Sequence, residues 1–265
     1  MYKRQRNLEG FNDEDVFFNW FFWDAEWSRQ GLIRDGGVTD GAYLLQVNRM
    51  GFRDAKVWPP LMREGDLPIV LGAAGHGFGE NISEGKIYPH LLENELQELT
   101  QKKVKLYNLS VQGSTVLFFE RYLLAQVLAM KPHAVVLSYG GFNEALYSPI
   151  PEREVLLPTN VLHNALMGSV LFRQIRLLGA ARSRKTNRVT VDEMVQSYHR
   201  IITSLKQENI SIVLLQQIVN HPDIEGLWRL SEMKKYRQAM RELSISKQLP
   251  LADPCLLYTS PSPRD

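Results

Sequence analysis

From Leu67 onward, short apolar runs alternate with longer segments of helical periodicity, and this alternation constrains the chain more than any other feature. Ile69 to Leu71 reads as a strand ending at Gly72. A helix over about Lys86 to Gln101 sets Ile87, Leu91, Leu92, Leu96 and Leu99 on one face. Val104 to Leu109 is the next strand. Thr115 to Met130 is a nearly all-apolar helix closed by Lys131 and Pro132, and Ala134 to Leu137 is a buried strand running into Gly140 and Gly141. Val191, Met194, Val195, Tyr198, Ile201, Ile202 and Leu205 then follow helical spacing, Ile212 to Ile218 forms a strand, Glu232 to Lys247 a helix, and Leu249 to Asp253 begins a fifth strand. Strands separated by helices call for a parallel sheet covered on both faces, a three-layer α/β/α domain with a flavodoxin-like sheet. Such sheets place their sites at the carboxyl ends of the strands.

The chain divides into an N-terminal extension, residues 6 to 66, and the α/β domain, 67 to 254, with no internal repeat. Punctuation by Gly36, Gly37, Pro59 and Pro60 makes the extension's pattern weaker. Pro149 to Leu178 is a long insertion, Pro-rich at first and then helical. No stretch reaches the roughly 18 uncharged apolar residues of a membrane span, because Asn19, Asp24 and Glu26 interrupt the aromatic run from Val16 to Trp27.

Residues 1 to 5 and 255 to 265 are expected to be translated sequencing adapter. One back-translation of Cys255 to Ser260 is TGT CTC TTA TAC ACA TCT. The reverse complement of its opening, GTG TAT AAG AGA CA, encodes an initiator followed by the residues of Tyr2 to Gln5. Two unrelated gene ends should not be reverse complements, so both segments are left out of fold reasoning. On this reading the authentic chain runs from Arg6 to Pro254 and is open at both ends. Setting aside Lys3, Arg4 and Arg264 from 31 basic residues, and Asp265 from 29 acidic ones, cancels the net charge of +2. Nothing then points to nucleic acid, which calls for a clustered basic face. Cys255 is the single cysteine, so without it disulfides, zinc sites and thiol catalysis have no support. No cofactor and no metal are implied.

The first strand ends in Gly72-Ala73-Ala74-Gly75-His76-Gly77-Phe78-Gly79, a glycine-rich turn opening toward a helix. One reading is a dinucleotide-binding turn of a nucleotide-binding oxidoreductase, whose glycines let backbone approach a pyrophosphate. The match is imperfect. The third glycine falls on Phe78, and the second strand ends at Asn108 where an acidic residue would hold a ribose.

The other reading rests on several blocks at once. Asn48-Arg49-Met50-Gly51-Phe52-Arg53 lies upstream, Asn108-Leu109-Ser110-Val111-Gln112-Gly113 follows the second strand, and Gly141-Phe142-Asn143-Glu144 follows the third. With Phe78-Gly79-Glu80 and Tyr88-Pro89, their spacing resembles the SGNH (GDSL-type) hydrolase superfamily over roughly Asn48 to Asp253. The resemblance implies a serine ester hydrolase or acyl-transfer lineage acting on small-molecule esters, or acylated carbohydrate or lipid. It also implies an oxyanion hole formed by the Gly113 amide and the Asn143 side chain. The family's first-block serine is replaced. Counting back from the aromatic-glycine pair places it at Gly75, and counting from the strand end places it at Ala74; neither has a nucleophilic atom. The family's Asp-x-x-His would follow the fifth strand, beyond Asp253.

Other residues have weaker claims. His76 is expected to be an incidental loop histidine, and His221 with Asp223 to be turn chemistry. Ser110 and Ser114 hydroxyls are candidate substitute nucleophiles on the wrong side of the carbonyl, and Glu144 should keep a hydrogen-bonding role. Arg173, Arg176, Arg182, Arg184, Lys185 and Arg188 should form a solvated face. The sequence thus supports a diverged SGNH-like protein with little or no hydrolase activity, with an esterase using a noncanonical nucleophile and the oxidoreductase as alternatives.

Overall fold

The computed structural model describes residues 52–54, 56, 64–79, 82, 84–148, 152–153, 186–217 and 230–253. In chain order they form β1 (Asp66–Ala73), a one-turn α1 (Gly75–Phe78), α2 (Tyr88–Thr100) and β2 (Lys103–Asn108). Next come α3 (Val116–Phe118), a π turn (Phe119–Leu123), α4 (Leu124–Met130), β3 (Ala134–Ser138) and α5 (Phe142–Ala145). The antiparallel two-residue strands β4 (Tyr147–Ser148) and β5 (Thr186–Asn187) precede α6 (Val191–Gln207), β6 (Ser211–Leu215), α7 (Leu230–Lys247) and β7 (Leu251–Ala252). Residues 1 to 5, residues 255 to 265, His221, Asp223 and most of the 149 to 178 insertion lie outside the described residues.

The five main strands are all parallel, in the order β2-β1-β3-β6-β7. Counted along the sheet this is the 2-1-3-4-5 order of flavodoxin-like folds, with the reversal between β1 and β3. Alternation along each strand sorts side chains to the two faces. Val70, Val135, Leu137 and Leu214 join α3, α4, α6 and α7 in the larger core, while Leu71, Ala73 and Leu106 meet Tyr88 and Leu92 of α2 on the other face. Helices therefore cover both sides, as the near-continuous apolar strands require.

The Thr115–Met130 segment is not one regular helix. Its Thr115 cap accepts from the Phe118 amide, and the π turn follows, with the Leu124 amide reaching the Phe119 carbonyl. Phe119 sits here against β1 so closely that a Cβ on Gly72 would lie 2.6 Å from its ring. Gly72 is thus required for helix-to-strand approach. Thr190 and Glu193 cap α6 reciprocally, the arrangement expected of a threonine three residues before a glutamate.

Residues shortly before β1 are tied to the sheet. Arg53 is wholly buried and donates through Nη1 to the carbonyls of Phe78 and Gly79 and through Nη2 to that of Ile82. Asp54 Oδ2 accepts the Asn108 amide at 3.0 Å, and Asn108 Nδ2 donates to the carbonyls of Arg53 and Gly77. One expectation fails: Arg188 is only 6% exposed and pairs with buried Glu152, so it belongs to the interior and not to a solvated face. A charge run in sequence does not reveal which member has an acid waiting beneath it.

Candidate functional site

The carboxyl ends of β1 and β3 are joined in register, Ala73 opposite Ser138, while Leu71 of β1 is opposite Asn108 at the end of β2. The loops leaving these three strands therefore begin side by side. At Gly75, in the first turn of α1, an added Cβ would meet, among the described residues, only Gln112 Cγ, at 3.9 Å. Ala74, by contrast, is 1% exposed and its methyl belongs to the larger core. Of the two candidate positions, only residue 75 is uncrowded among the described residues.

Gly113 occupies the left-handed region at φ 74°, a conformation that favours glycine. Its amide has no acceptor among the described residues, and its carbonyl accepts from Arg188 Nη1 at 2.7 Å. Asn143 reaches the same loop, with Nδ2 donating to the Ser114 carbonyl at 3.0 Å. An amide nitrogen has a second hydrogen to give. Glu144 fixes the relation between the two loops: its buried carboxylate accepts from Val116 N at 3.2 Å and from Gly141 N at 3.0 Å. The expected hydrogen-bonding role of Glu144 is thus observed. Gly75, Gly113 and Asn143 are linked through consecutive residues, Gln112 beside the first and Ser114 beside the last.

Beneath the Gly113 loop lies a buried polar group that the sequence does not announce. Glu152 pairs with Arg188 Nε at 2.6 Å and accepts from Thr115 Oγ1 at 2.6 Å. Burial pushes its carboxyl up to about 7, against the opposing pull of Arg188 and the Thr115 hydrogen bond. Desolvation dominates because the pair is closed off from water.

His76 is not incidental to the architecture. Its Nε2 lies 2.8 Å from Ser138 Oγ, and Ser138 Oγ donates to the Leu215 carbonyl at 2.9 Å. Its ring lies parallel to that of Tyr88. The residue keeps an exposed edge, yet desolvation around the ring lowers its imidazole to about 4. At that value the ring is neutral at pH 7. The clue in the sequence is Ser138 itself, a hydroxyl closing an apolar buried strand, since such a group needs a partner. Gln217, after β6, also closes over this end, with Nε2 3.3 Å from the Ser138 carbonyl and Oε1 accepting the Phe142 amide at 3.2 Å.

The remaining candidates separate clearly. Ser110 Oγ is buried without a hydrogen-bond partner, directly under Gly77, where an added Cβ would lie 2.3 Å from it. Ser114 Oγ donates to Val111 O at 2.7 Å and is buried. Neither hydroxyl is presented to a ligand. In the glycine turn, the amides of Gly77, Phe78 and Gly79 are taken up by the carbonyls of Ala74 and Gly75, and Gly72 faces Phe119. Asp253 is paired with Arg237 and Arg241 of α7. Among the described residues no acidic, histidine or cysteine cluster could hold a metal, and no helix is long and apolar enough to cross a membrane.

No family model matches the chain, and no curated protein matches it. Solved structures that match it in part include an acetyl-xylooligosaccharide esterase from Geobacillus, 16% identical with a TM-score of 0.48, covering 73% of this chain and 80% of that one. A lipase/acylhydrolase from Enterococcus faecalis is 16% identical with a TM-score of 0.46, covering 69% and 74%. An acetyl xylan esterase is 15% identical with a TM-score of 0.45, covering 71% and 77%.

Proposed function

We propose that the chain holds acyl esters at the carboxyl ends of β1, β2 and β3, and that it lacks the serine route to their hydrolysis. The Gly113 amide and the Asn143 side-chain amide would receive the carbonyl oxygen. Gly75 stands where the attacking hydroxyl would be. The observation that carries this reading is the uncrowded side-chain position at Gly75, where an added Cβ would lie 3.9 Å from Gln112 Cγ, together with the block spacing that resembles SGNH hydrolases. Two preorganised donors stabilise a tetrahedral oxyanion, but without a hydroxyl at residue 75 no acyl-enzyme forms by direct attack. The substrate class this supports is a small-molecule ester or an acylated carbohydrate or lipid.

The test is binding of an alkylphosphonate monoester anion, which mimics the tetrahedral intermediate. The protein should bind it, and Asn143→Ala should weaken binding about tenfold, equivalent to about 1.4 kcal/mol for one lost hydrogen bond. Equal binding by the variant would remove Asn143 from the pocket. A fluorophosphonate that labels activated serines should leave the protein unmodified; labelling would overturn the missing-nucleophile reading.

A further inference from the structure

We infer that His76 is the general base of this site, activating a water in place of the absent serine, with Ser138 as the positioning residue that fixes its tautomer. The inference deepens the ester-site reading above and rests on it. Its foundation is the chain of hydrogen bonds from His76 Nε2 to Ser138 Oγ at 2.8 Å and from Ser138 Oγ to the Leu215 carbonyl at 2.9 Å. A hydroxyl has one proton, and a carbonyl oxygen can only accept. Ser138 gives its proton to Leu215, so Ser138 Oγ must accept from His76, and the proton of the neutral imidazole resides on Nε2. The network thereby assigns the tautomer and leaves Nδ1 with its lone pair bare.

Nδ1 has no hydrogen-bond partner among the described residues. Ser138 is fully buried, whereas His76 has an exposed edge, so the open part of the ring is the part turned away from Ser138. This is the logic of a catalytic base oriented by a third group, here on residues unrelated to an acidic partner. The adjoining residue is Gly75, where an added Cβ would lie 3.9 Å from Gln112 Cγ, next to the Gly113 loop, and there we place the attacking water.

The reaction balances without any other reactant. The water oxygen bonds to the ester carbonyl carbon while one water proton passes to His76 Nδ1. The carbonyl electron pair moves to the oxygen held by Gly113 and Asn143. Collapse re-forms the carbonyl and breaks the bond to the alcohol oxygen, which takes the proton from the imidazolium. The products are a carboxylic acid and an alcohol.

The experiment is p-nitrophenyl acetate hydrolysis by the whole chain, counting only the rate that Asn143→Ala abolishes, since surface amines and imidazoles also react slowly with this ester. His76→Gln should lower that rate about 100-fold, the low end for a positioned base. Its phosphonate binding should stay unchanged. His76→Ala should recover rate when free imidazole is added, a response that a merely structural role would not give. Ser138→Ala should lower kcat with little change in KM, and should shift the 15N resonances of His76 toward a mixture of tautomers. An Asn143-dependent rate that survives His76→Gln overturns the inference while leaving the ester site standing. A protein that binds phosphonate but hydrolyses nothing also overturns it. Loss of phosphonate binding together with indifference to Asn143→Ala would instead sink the site reading beneath it.

Discussion

Arg53 Nη1 lies 3.0 Å from the carbonyl oxygen of Phe78, and the whole guanidinium is buried beneath the turn that contains Gly75 and His76. A segment upstream of β1 thus supplies donors to carbonyls at the carboxyl end of α1, which a one-turn helix cannot satisfy alone. Charge suits the position, since helix carboxyl ends favour cations. Arg53→Met keeps much of the volume but removes every donor. Each orphaned buried carbonyl costs about 1–3 kcal/mol, so urea denaturation should show a loss of at least that size. Phosphonate binding should weaken as well, because the turn loses its support. Unchanged stability would mean that water replaces the guanidinium at no cost.

Glu152 predicts a pH dependence of folding. Its carboxyl is raised to about 7 in the folded protein by burial, from an ordinary value of 4.5. The folded state therefore binds more protons than the unfolded state between these values. Stability from this group is fully present below about pH 4.5 and declines as pH rises through 7, by on the order of 2–3 kcal/mol over the window. Glu152→Gln should flatten this part of the stability profile, read as thermal midpoint against pH. A midpoint that rises from pH 5 to 7 in the parent and not in the variant would reverse the sign, and would mean that Arg188 at 2.6 Å outweighs desolvation.

His76 predicts a second pH dependence, of rate. Burial around the ring, with Tyr88 stacked on it and Ser138 bonded to it, holds the imidazole at about 4, below the ordinary 6.5. A base must be unprotonated to act, so the Asn143-dependent hydrolysis should be level above about pH 5 and fall as pH drops through 4. The same depression makes the unfolded chain bind more protons between 4 and 6.5, so the His76 contribution to stability is lost on acidification through that range. An acid limb centred near 6.5 would place the imidazole in open solvent.

The inner strands were legible because they read as unbroken apolar runs, Ile69–Leu71 and Ala134–Leu137, whereas the edge strand at Val104–Leu109 carries Lys105 and Asn108 and was legible from Val104, Leu106, Tyr107 and Leu109; each segment coincides with a strand to within a few residues. The roles proposed for Gly113 and Asn143 come from a different signal, the spacing of short blocks after successive strands. What periodicity cannot show is a partner brought in from elsewhere. Ser138, Arg53 and Glu152 gain their importance from contacts with residues 62, 25 and 37 positions away. The π turn at Phe119–Leu123 was equally hidden, because one extra residue in a turn leaves the apolar composition of Thr115 to Met130 unchanged. Phe119, the first residue of that turn, packs over Gly72. Gly72→Ala should accordingly cost about 1–3 kcal/mol through overpacking, measured by urea denaturation; a neutral effect would show that the ring shifts freely.

Placing a serine at each of the two candidate positions separates their geometry. At residue 75 the new Cβ would meet, among the described residues, only Gln112 Cγ at 3.9 Å, an ordinary contact, so Gly75→Ser should fold with a stability change within about 0.5 kcal/mol, as for other substitutions at uncrowded positions. At residue 74 the side chain is 1% exposed within an apolar core. Ala74→Ser buries a hydroxyl there and should cost about 1–3 kcal/mol. The chemical outcomes should differ in the same order. A hydroxyl at 75 adjoins His76, whose bare Nδ1 can take its proton, and it stands beside the loop that presents the Gly113 amide. Fluorophosphonate should therefore label Gly75→Ser and leave both the parent and Ala74→Ser unlabelled. Adding His76→Gln to Gly75→Ser should abolish the labelling. Labelling of the serine at 74, or labelling at 75 that persists without His76, would show that the register or the base has been misassigned.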